Sequence, residues 1–152
     1  MFAPSRNEAR RIFFDTWAKY RRDEPLSGLE GVALQVILAH PEYHAMLDDP
    51  DDFLTRDYGP EGGEINPFLH LSLHLAIEEQ LSIDQPRGIL ERYRGLTGRL
   101  ASEHEAKHAL LECLGEMLWQ AQRNSQAPDE RIYLECLDRK AKRLTQKQFK
   151  GY

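Results

Sequence analysis

The chain has 152 residues, of which 41% are hydrophobic and 30% are charged, and its net charge is −5. This length fits one globular domain that buries roughly two-thirds of its unfolded surface. No segment reaches the ~20 consecutive apolar residues of a membrane span, and the N-terminal residues lack the apolar core of a signal peptide. These properties argue against a membrane protein, and we expect a cytoplasmic protein.

Charge is distributed unevenly along the chain. Residues 1–22 have a net charge of +4 and residues 138–152 have +5, whereas residues 23–137 have −14. Phosphate contacts from Lys and Arg supply most of the affinity for nucleic acids, so the acidic centre argues against nucleic acid as the main ligand. The same acidic centre is compatible with binding of cations. The sequence leaves the oligomeric state open, and an oligomer is compatible with it.

Helical signals begin close to the N-terminus. Ser5 and Glu8 have the spacing of a capping box ahead of an amphipathic helix of about four turns. A second helix is predicted over residues 29–38, and Pro41 predicts a kink or break after it. Residues 48–65 are rich in Asp, Pro and Gly and form an acidic segment, which predicts a long loop.

The second half of the chain also has a helical pattern. Asn66 and Pro67 form a cap and first-turn pair that opens a helix fading near residues 82–84. Further helices are predicted over residues 86–93, 99–123 and 128–146. No strand-like alternation competes with them. We therefore predict an all-α, single-domain bundle of five to seven helices over residues 1–152, with short connections that favour antiparallel neighbours and a basic C-terminal segment.

Cys113 and Cys136 are the only cysteines, and they form no CxxC motif. Each lies in a predicted helix. We interpret both as ordinary core or half-buried thiols, with neither a disulfide framework nor a thiolate zinc site.

All six histidines belong to HxxxH pairs. A carboxylate follows four residues after each pair, so the segments read HPEYHAMLD, HLSLHLAIE and HEAKHALLE. On a helix, positions i, i+4 and i+8 form one slanted stripe, and neighbouring side chains in it can share an ion. The three stripes are His40, His44 and Asp48; His70, His74 and Glu78; and His104, His108 and Glu112.

The histidines of the second and third stripes fall on the apolar side of their predicted helices. A buried polar group without a partner costs on the order of 1–3 kcal/mol, so six imidazoles need partners. A metal ion satisfies imidazoles and carboxylates together. The first stripe is the weakest, because Pro41 turns His40 away from His44, and Glu42, Asp49 or Asp51 are alternatives to its carboxylate.

The nine side chains exceed what one ion of about four to six ligands binds, so we predict two ions about 3.5–4 Å apart. Nitrogen and oxygen ligands without thiolate suit divalent iron, zinc or manganese, and the sequence does not choose among them. The absence of a P-loop or GxGxxG motif predicts no nucleotide cofactor. A substrate is not indicated, and it stays open whether the protein is an enzyme.

Two functions from different classes follow. The first is metal binding in a helical bundle, used for hydrolysis, oxygen or peroxide chemistry, or metal or redox sensing. The second is a non-enzymatic interaction module, whose histidines and carboxylates form a hydrogen-bonded core and whose basic ends bind an acidic partner or RNA.

The segment NPFLHLSLHLAIEEQLSIDQPRGI, followed by HEAKHALLECLGEMLW, resembles a family of small bacterial proteins known as domain of unknown function 1841. The similarity covers nearly the whole chain, and NPFLHLSLHLAIEEQ is its most specific part. The resemblance implies a bacterial cytoplasmic protein and no activity. The stripes also differ from the ligand patterns of hemerythrins and ferritin-like proteins, so fold analogy implies no reaction.

Overall fold

The computed structural model describes residues 6–56, 66–100 and 102–150, and these residues form helices and turns without a strand. Six helices have nine or more residues: α1 (Arg6–Arg21), α2 (Gly28–Leu38), α5 (Pro67–Ile83), α6 (Ile89–Thr97), α7 (Glu103–Arg123) and α8 (Glu130–Lys150). Two single turns, α3 (His44–Leu47) and α4 (Pro50–Phe53), follow a 3-10 turn at Pro41–Tyr43. The predicted all-α class is confirmed.

Side-chain caps fix where several helices begin. The predicted cap at Asn66 is confirmed, because its Oδ1 accepts hydrogen bonds from the backbone N–H groups of Phe68 and Leu69 at 3.0 and 3.2 Å. α2 begins with a capping box between Ser27 and Glu30, a start signal that the sequence carries but the prediction missed. The predicted capping box at Ser5 lies outside the described residues.

The short helix predicted from Pro86 begins instead at Ile89. Gly88 has φ 96°, a left-handed conformation that cannot continue a helix. The Asp84 carboxylate accepts the backbone N–H groups of Gly88 and Leu90, and these bonds lower the pKa of Asp84. A short carboxylate-capped turn therefore precedes the helix. In the acidic segment, α4 replaces part of the predicted loop, and residues 57–65 lie outside the described residues.

The described residues fall into two compact units, and the division lies within α5, between Leu75 and Ala76. In the first unit, α1 packs on α2, and α3 packs on α1. Its core holds aromatic and aliphatic side chains that are at most 5% exposed: Phe13, Phe14, Trp17, Ala33, Val36, Ile37, Leu47, Phe68 and Leu71. The prediction that the chain forms one domain stays a prediction.

A buried arginine fixes the end of α4 in the first unit. Arg10 is 2% exposed, and its Nη1 donates to the backbone carbonyls of Leu54 at 3.1 Å and Arg56 at 2.6 Å. Its guanidinium also stacks over the Phe68 ring, 4.6 Å from the centroid. Arg10 thus connects α1 to the chain after α4 and to the first turn of α5.

The second unit packs α6, α7 and α8 against one another. Tyr133 is fully buried, its hydroxyl donates to Gln80 Oε1 at 2.8 Å, and burial raises the pKa of its phenol. Cys113 of α7 and Cys136 of α8 form a disulfide, so their interpretation as ordinary thiols was wrong. The error arose because packing of α7 against α8 places two cysteines 23 residues apart side by side.

The described helices include none that is both long enough and apolar enough to cross a membrane.

Candidate metal centre

Three histidines converge in the first unit. His40 lies in the break between α2 and the 3-10 turn, and His70 and His74 lie one turn apart on α5. The ring centroids are 5.0 Å apart for His40 and His70, 4.6 Å for His40 and His74, and 4.7 Å for His70 and His74. Each ring offers a nitrogen within 4.8 Å of the others. His40 and His74 are only 2% and 3% exposed, so the cluster lies in the protein interior.

The backbone fixes the tautomer of His40. Its Nδ1 lies 2.7 Å from the carbonyl oxygen of Val36, and a carbonyl can only accept, so Nδ1 carries the proton. In the neutral ring, Nε2 therefore holds a lone pair. Metal-binding histidines commonly have this arrangement, in which a backbone carbonyl holds one ring N–H and the other nitrogen binds the ion.

The Nε2 atoms of His40 and His70 are 3.2 Å apart. Without an ion, this distance fits a hydrogen bond from His70 Nε2–H to His40 Nε2. Two imidazole nitrogens that bind one tetrahedral ion, each at about 2.0–2.1 Å, lie about 3.3–3.4 Å apart. The pair is therefore already close to the separation of two ligands of one ion.

Pro41 divides the first HxxxH pair between two environments. α2 ends at Leu38, and His40 has φ −128° and ψ 66°, outside helical geometry. His44 begins α3 after the 3-10 turn and is not in the histidine cluster. The sequence predicted that Pro41 separates the two rings, and the consequence is that His40 alone joins His70 and His74.

His44 and Asp48 instead surround an indole. The Nε2–H of His44 donates to the Ile37 carbonyl at 2.8 Å, and its ring lies against Trp17 with centroids 4.4 Å apart. The Trp17 Nε1–H donates to Asp48 Oδ1 at 2.8 Å. These contacts hold α1 against the α3 turn. The alternative carboxylates of the first stripe, Glu42, Asp49 and Asp51, are exposed and are not in the cluster.

The second unit holds the other four predicted ligands. Glu78 forms an ion pair with Lys107 at 2.6 Å, and Glu112 forms one with Lys140. The rings of His104 and His108 lie 4.4 Å apart on α7. They line a cavity of about 360 Å³ with apolar and charged side chains: Leu96, Leu100, Glu105, Ala109, Glu112, Lys140, Arg143 and Leu144.

Each stripe carboxylate therefore has a hydrogen-bonding or ionic partner: Trp17 for Asp48, Lys107 for Glu78 and Lys140 for Glu112. Each contact uses one oxygen of its carboxylate, so the partner alone does not prevent metal binding. Among the described residues, no carboxylate joins the cluster of His40, His70 and His74.

Sequence reasoning missed Tyr43, which borders the cluster. Its ring stacks on His40 with centroids 5.8 Å apart and meets His70 edge-on at 6.2 Å. Burial, with a smaller contribution from Glu42, raises the pKa of Tyr43, so the phenol is protonated at neutral pH. The sequence could have indicated Tyr43, because it lies between the two histidines of HPEYH, in the turn that follows His40.

These features define an all-α protein with an interior cluster of three imidazoles. The chain belongs to the family described as Domain of unknown function (DUF1841), whose sequence model matches residues 5–139. The match includes all six histidines and confirms the resemblance seen in the sequence. Comparison with curated proteins and with solved structures found no match.

Proposed function

We propose that this protein binds a transition-metal ion through the imidazoles of His40, His70 and His74. The observation that supports the proposal is the 3.2 Å separation of the His40 and His70 Nε2 atoms, with the His40 Nδ1–H held by the Val36 carbonyl. His74 contributes the third ring at similar distance. A preset tautomer and a short spacing between nitrogens lower the cost of assembling the ligands.

Three imidazoles without thiolate favour zinc or iron over manganese, which prefers oxygen ligands. They fill three positions of a tetrahedral ion, and a further ligand or water fills the fourth. If water holds the fourth position, the ion could support activation of that water, oxygen or peroxide chemistry, or metal or redox sensing. We propose metal binding as the function. It stays open whether the protein is an enzyme, and a cytoplasmic location stays a prediction.

The geometry favours one ion over the dinuclear centre that the sequence predicts. A dinuclear centre normally has a bridging carboxylate or water, and among the described residues no carboxylate lies in the cluster of His40, His70 and His74. The participation of His104 and His108 in metal binding stays a prediction of the sequence pattern.

Metal analysis of the protein without a histidine tag tests the proposal. After reconstitution with zinc, iron(II) or manganese and removal of loosely bound ions, we expect about one ion per chain by elemental analysis. His70→Ala and His74→Ala should each lose most of it. His44→Gln is the matched control, because it removes a histidine that donates to the Ile37 carbonyl rather than joining the cluster.

Three results separate the alternatives. No retained ion, or equal loss in His44→Gln and His74→Ala with helix content preserved by circular dichroism, contradicts the proposal. Two ions per chain, falling to one in Glu78→Gln, would favour the dinuclear prediction. A His108→Ala variant that binds its ion more weakly would place that residue among the ligands.

The second candidate is the interaction module. The hydrogen bond that His70 Nε2–H can donate to His40 Nε2 gives both nitrogens a partner without an ion, and this observation favours the module. The prediction for that module is a folded protein that retains no metal and whose basic segment binds an acidic partner or RNA.

A further inference from the structure

The two sulfurs of the Cys113–Cys136 disulfide differ in exposure. Cys113 is fully buried in α7. Cys136 is half-buried on α8 and lines a surface cavity of about 280 Å³. A thiol that enters this cavity would therefore lie beside Cys136, whereas Cys113 is buried and does not line the cavity.

The cavity is rich in cations. Arg139, Lys140 and Arg143 lie three, four and seven residues after Cys136, on the same face of α8, and all three line the cavity. Glu112 and Glu116 of α7 line it as well, so the five charges sum to +1. Because Glu112 pairs with Lys140, the remaining charges are Arg139 and Arg143 against Glu116, and this excess of one positive charge can attract an anion.

We propose that this disulfide is a thiol-exchange site, at which an anionic low-molecular-mass thiol attacks Cys136. The incoming thiolate forms a bond to the Cys136 sulfur, the Cys113–Cys136 bond breaks, and Cys113 leaves as a thiolate that takes up a proton. A second thiolate then attacks the mixed disulfide, releasing the oxidised external disulfide and the Cys136 thiolate. The external thiol is the two-electron reductant.

The surroundings support both halves of this exchange. Cations beside a half-buried cysteine stabilise its thiolate and attract an anionic thiol, and reactive cysteines occur in such electropositive, partly exposed places. The buried Cys113 thiol stays beside Cys136 after the first step. It can therefore expel the external thiol from the mixed disulfide and restore the original bond.

The test treats the folded, full-length protein with reduced glutathione without denaturant, and acid quenches the reaction. Intact mass and peptide mapping should find one glutathione on Cys136 and none on Cys113. The proposal is overturned if the purified protein holds no disulfide, if the adduct forms on Cys113, or if the disulfide opens only in denaturant.

Charge variants test how the cavity acts. Arg143→Glu should slow glutathione exchange about threefold to fivefold at low ionic strength, and the difference should shrink in about 1 M salt. Exchange with uncharged 2-mercaptoethanol should be nearly unchanged. Lys142→Glu is the matched control, because it makes the same charge change on α8 at an exposed residue outside the cavity. Equal slowing in both variants, or with both thiols, would overturn the role of the cations.

Discussion

The last turn of α2 determines how two of the histidines are used. The last carbonyls of a helix lack the usual N–H donor four residues on, so other donors can bond to them; the Ile37 carbonyl, for example, accepts the backbone N–H of His40 at 3.0 Å. The His40 ring donates to the Val36 carbonyl through Nδ1, and the His44 ring donates to the Ile37 carbonyl through Nε2. Adjacent carbonyls thus select opposite tautomers. The bond to Val36 directs Nε2 of His40 toward His70. The bond to Ile37 holds the His44 ring against Trp17.

This difference is directly measurable. In the metal-free protein at neutral pH, we expect two-bond proton–nitrogen NMR spectra to show His40 protonated at Nδ1 and His44 protonated at Nε2. The His40→Gln and His44→Gln variants assign the signals, because each removes the set that belongs to its own ring. The same tautomer for both rings would contradict the hydrogen bonds to Val36 and Ile37.

At the scale of the element, the sequence predicted helix caps and breaks, but it did not predict the contacts between helices. The cap at Asn66 and the break at Pro41 depend on neighbouring residues, so the sequence predicted both. The partners of the stripe carboxylates depend on packing. Lys107 lies on α7 and Lys140 on α8, and no spacing rule along the chain pairs them with Glu78 and Glu112.

The start of α2 contributes stability that depends on pH. A hydrogen bond from Lys19, helped by the Ser27 backbone N–H, lowers the pKa of Glu30 from 4.5 to about 2. A carboxylate whose pKa is lower in the folded state stabilises it above the unfolded pKa, and this stabilisation is lost as the pH falls. The window for Glu30 therefore runs from about pH 4.5 down to about 2.

The Glu30→Gln variant isolates this effect. We expect the free energy of unfolding of wild-type protein to fall more steeply than that of Glu30→Gln as the pH decreases through that window, since Gln does not titrate. Urea unfolding followed by circular dichroism at several pH values measures the difference. Glu24→Gln is the control, because it removes an exposed carboxylate outside the capping box. Parallel curves for wild type and Glu30→Gln would show that the Lys19 pair does not persist in solution.

At the scale of the whole molecule, the sequence predicted an all-α fold and a site built on histidine pairs. It could not show which member of the first pair joins His70 and His74, because that depends on the direction of the chain after Pro41. The sequence did not predict the disulfide for a related reason. Cys113 and Cys136 lie on separate helices and meet only when α7 and α8 pack.

The disulfide should be a main source of stability in the second unit. Closing a chain segment between residues 23 apart reduces the entropy of the unfolded state, which corresponds to about 3 kcal/mol. We expect Cys136→Ser, in which a half-buried sulfur becomes a hydroxyl, to lower the free energy of unfolding by roughly this amount. Urea denaturation of oxidised wild type, reduced wild type and the variant measures the change.

Reduction of the disulfide in wild-type protein serves as the internal control. It should lower the free energy of unfolding of wild type to about that of Cys136→Ser. The same treatment should leave the variant unchanged, because the variant has no disulfide to reduce. A loss below about 1 kcal/mol in both comparisons would mean that the helices pack equally well without the bond, against the chain-entropy expectation. A loss in the variant but not in reduced wild type would instead assign the effect to the serine, because a half-buried hydroxyl without a hydrogen bond is itself destabilising.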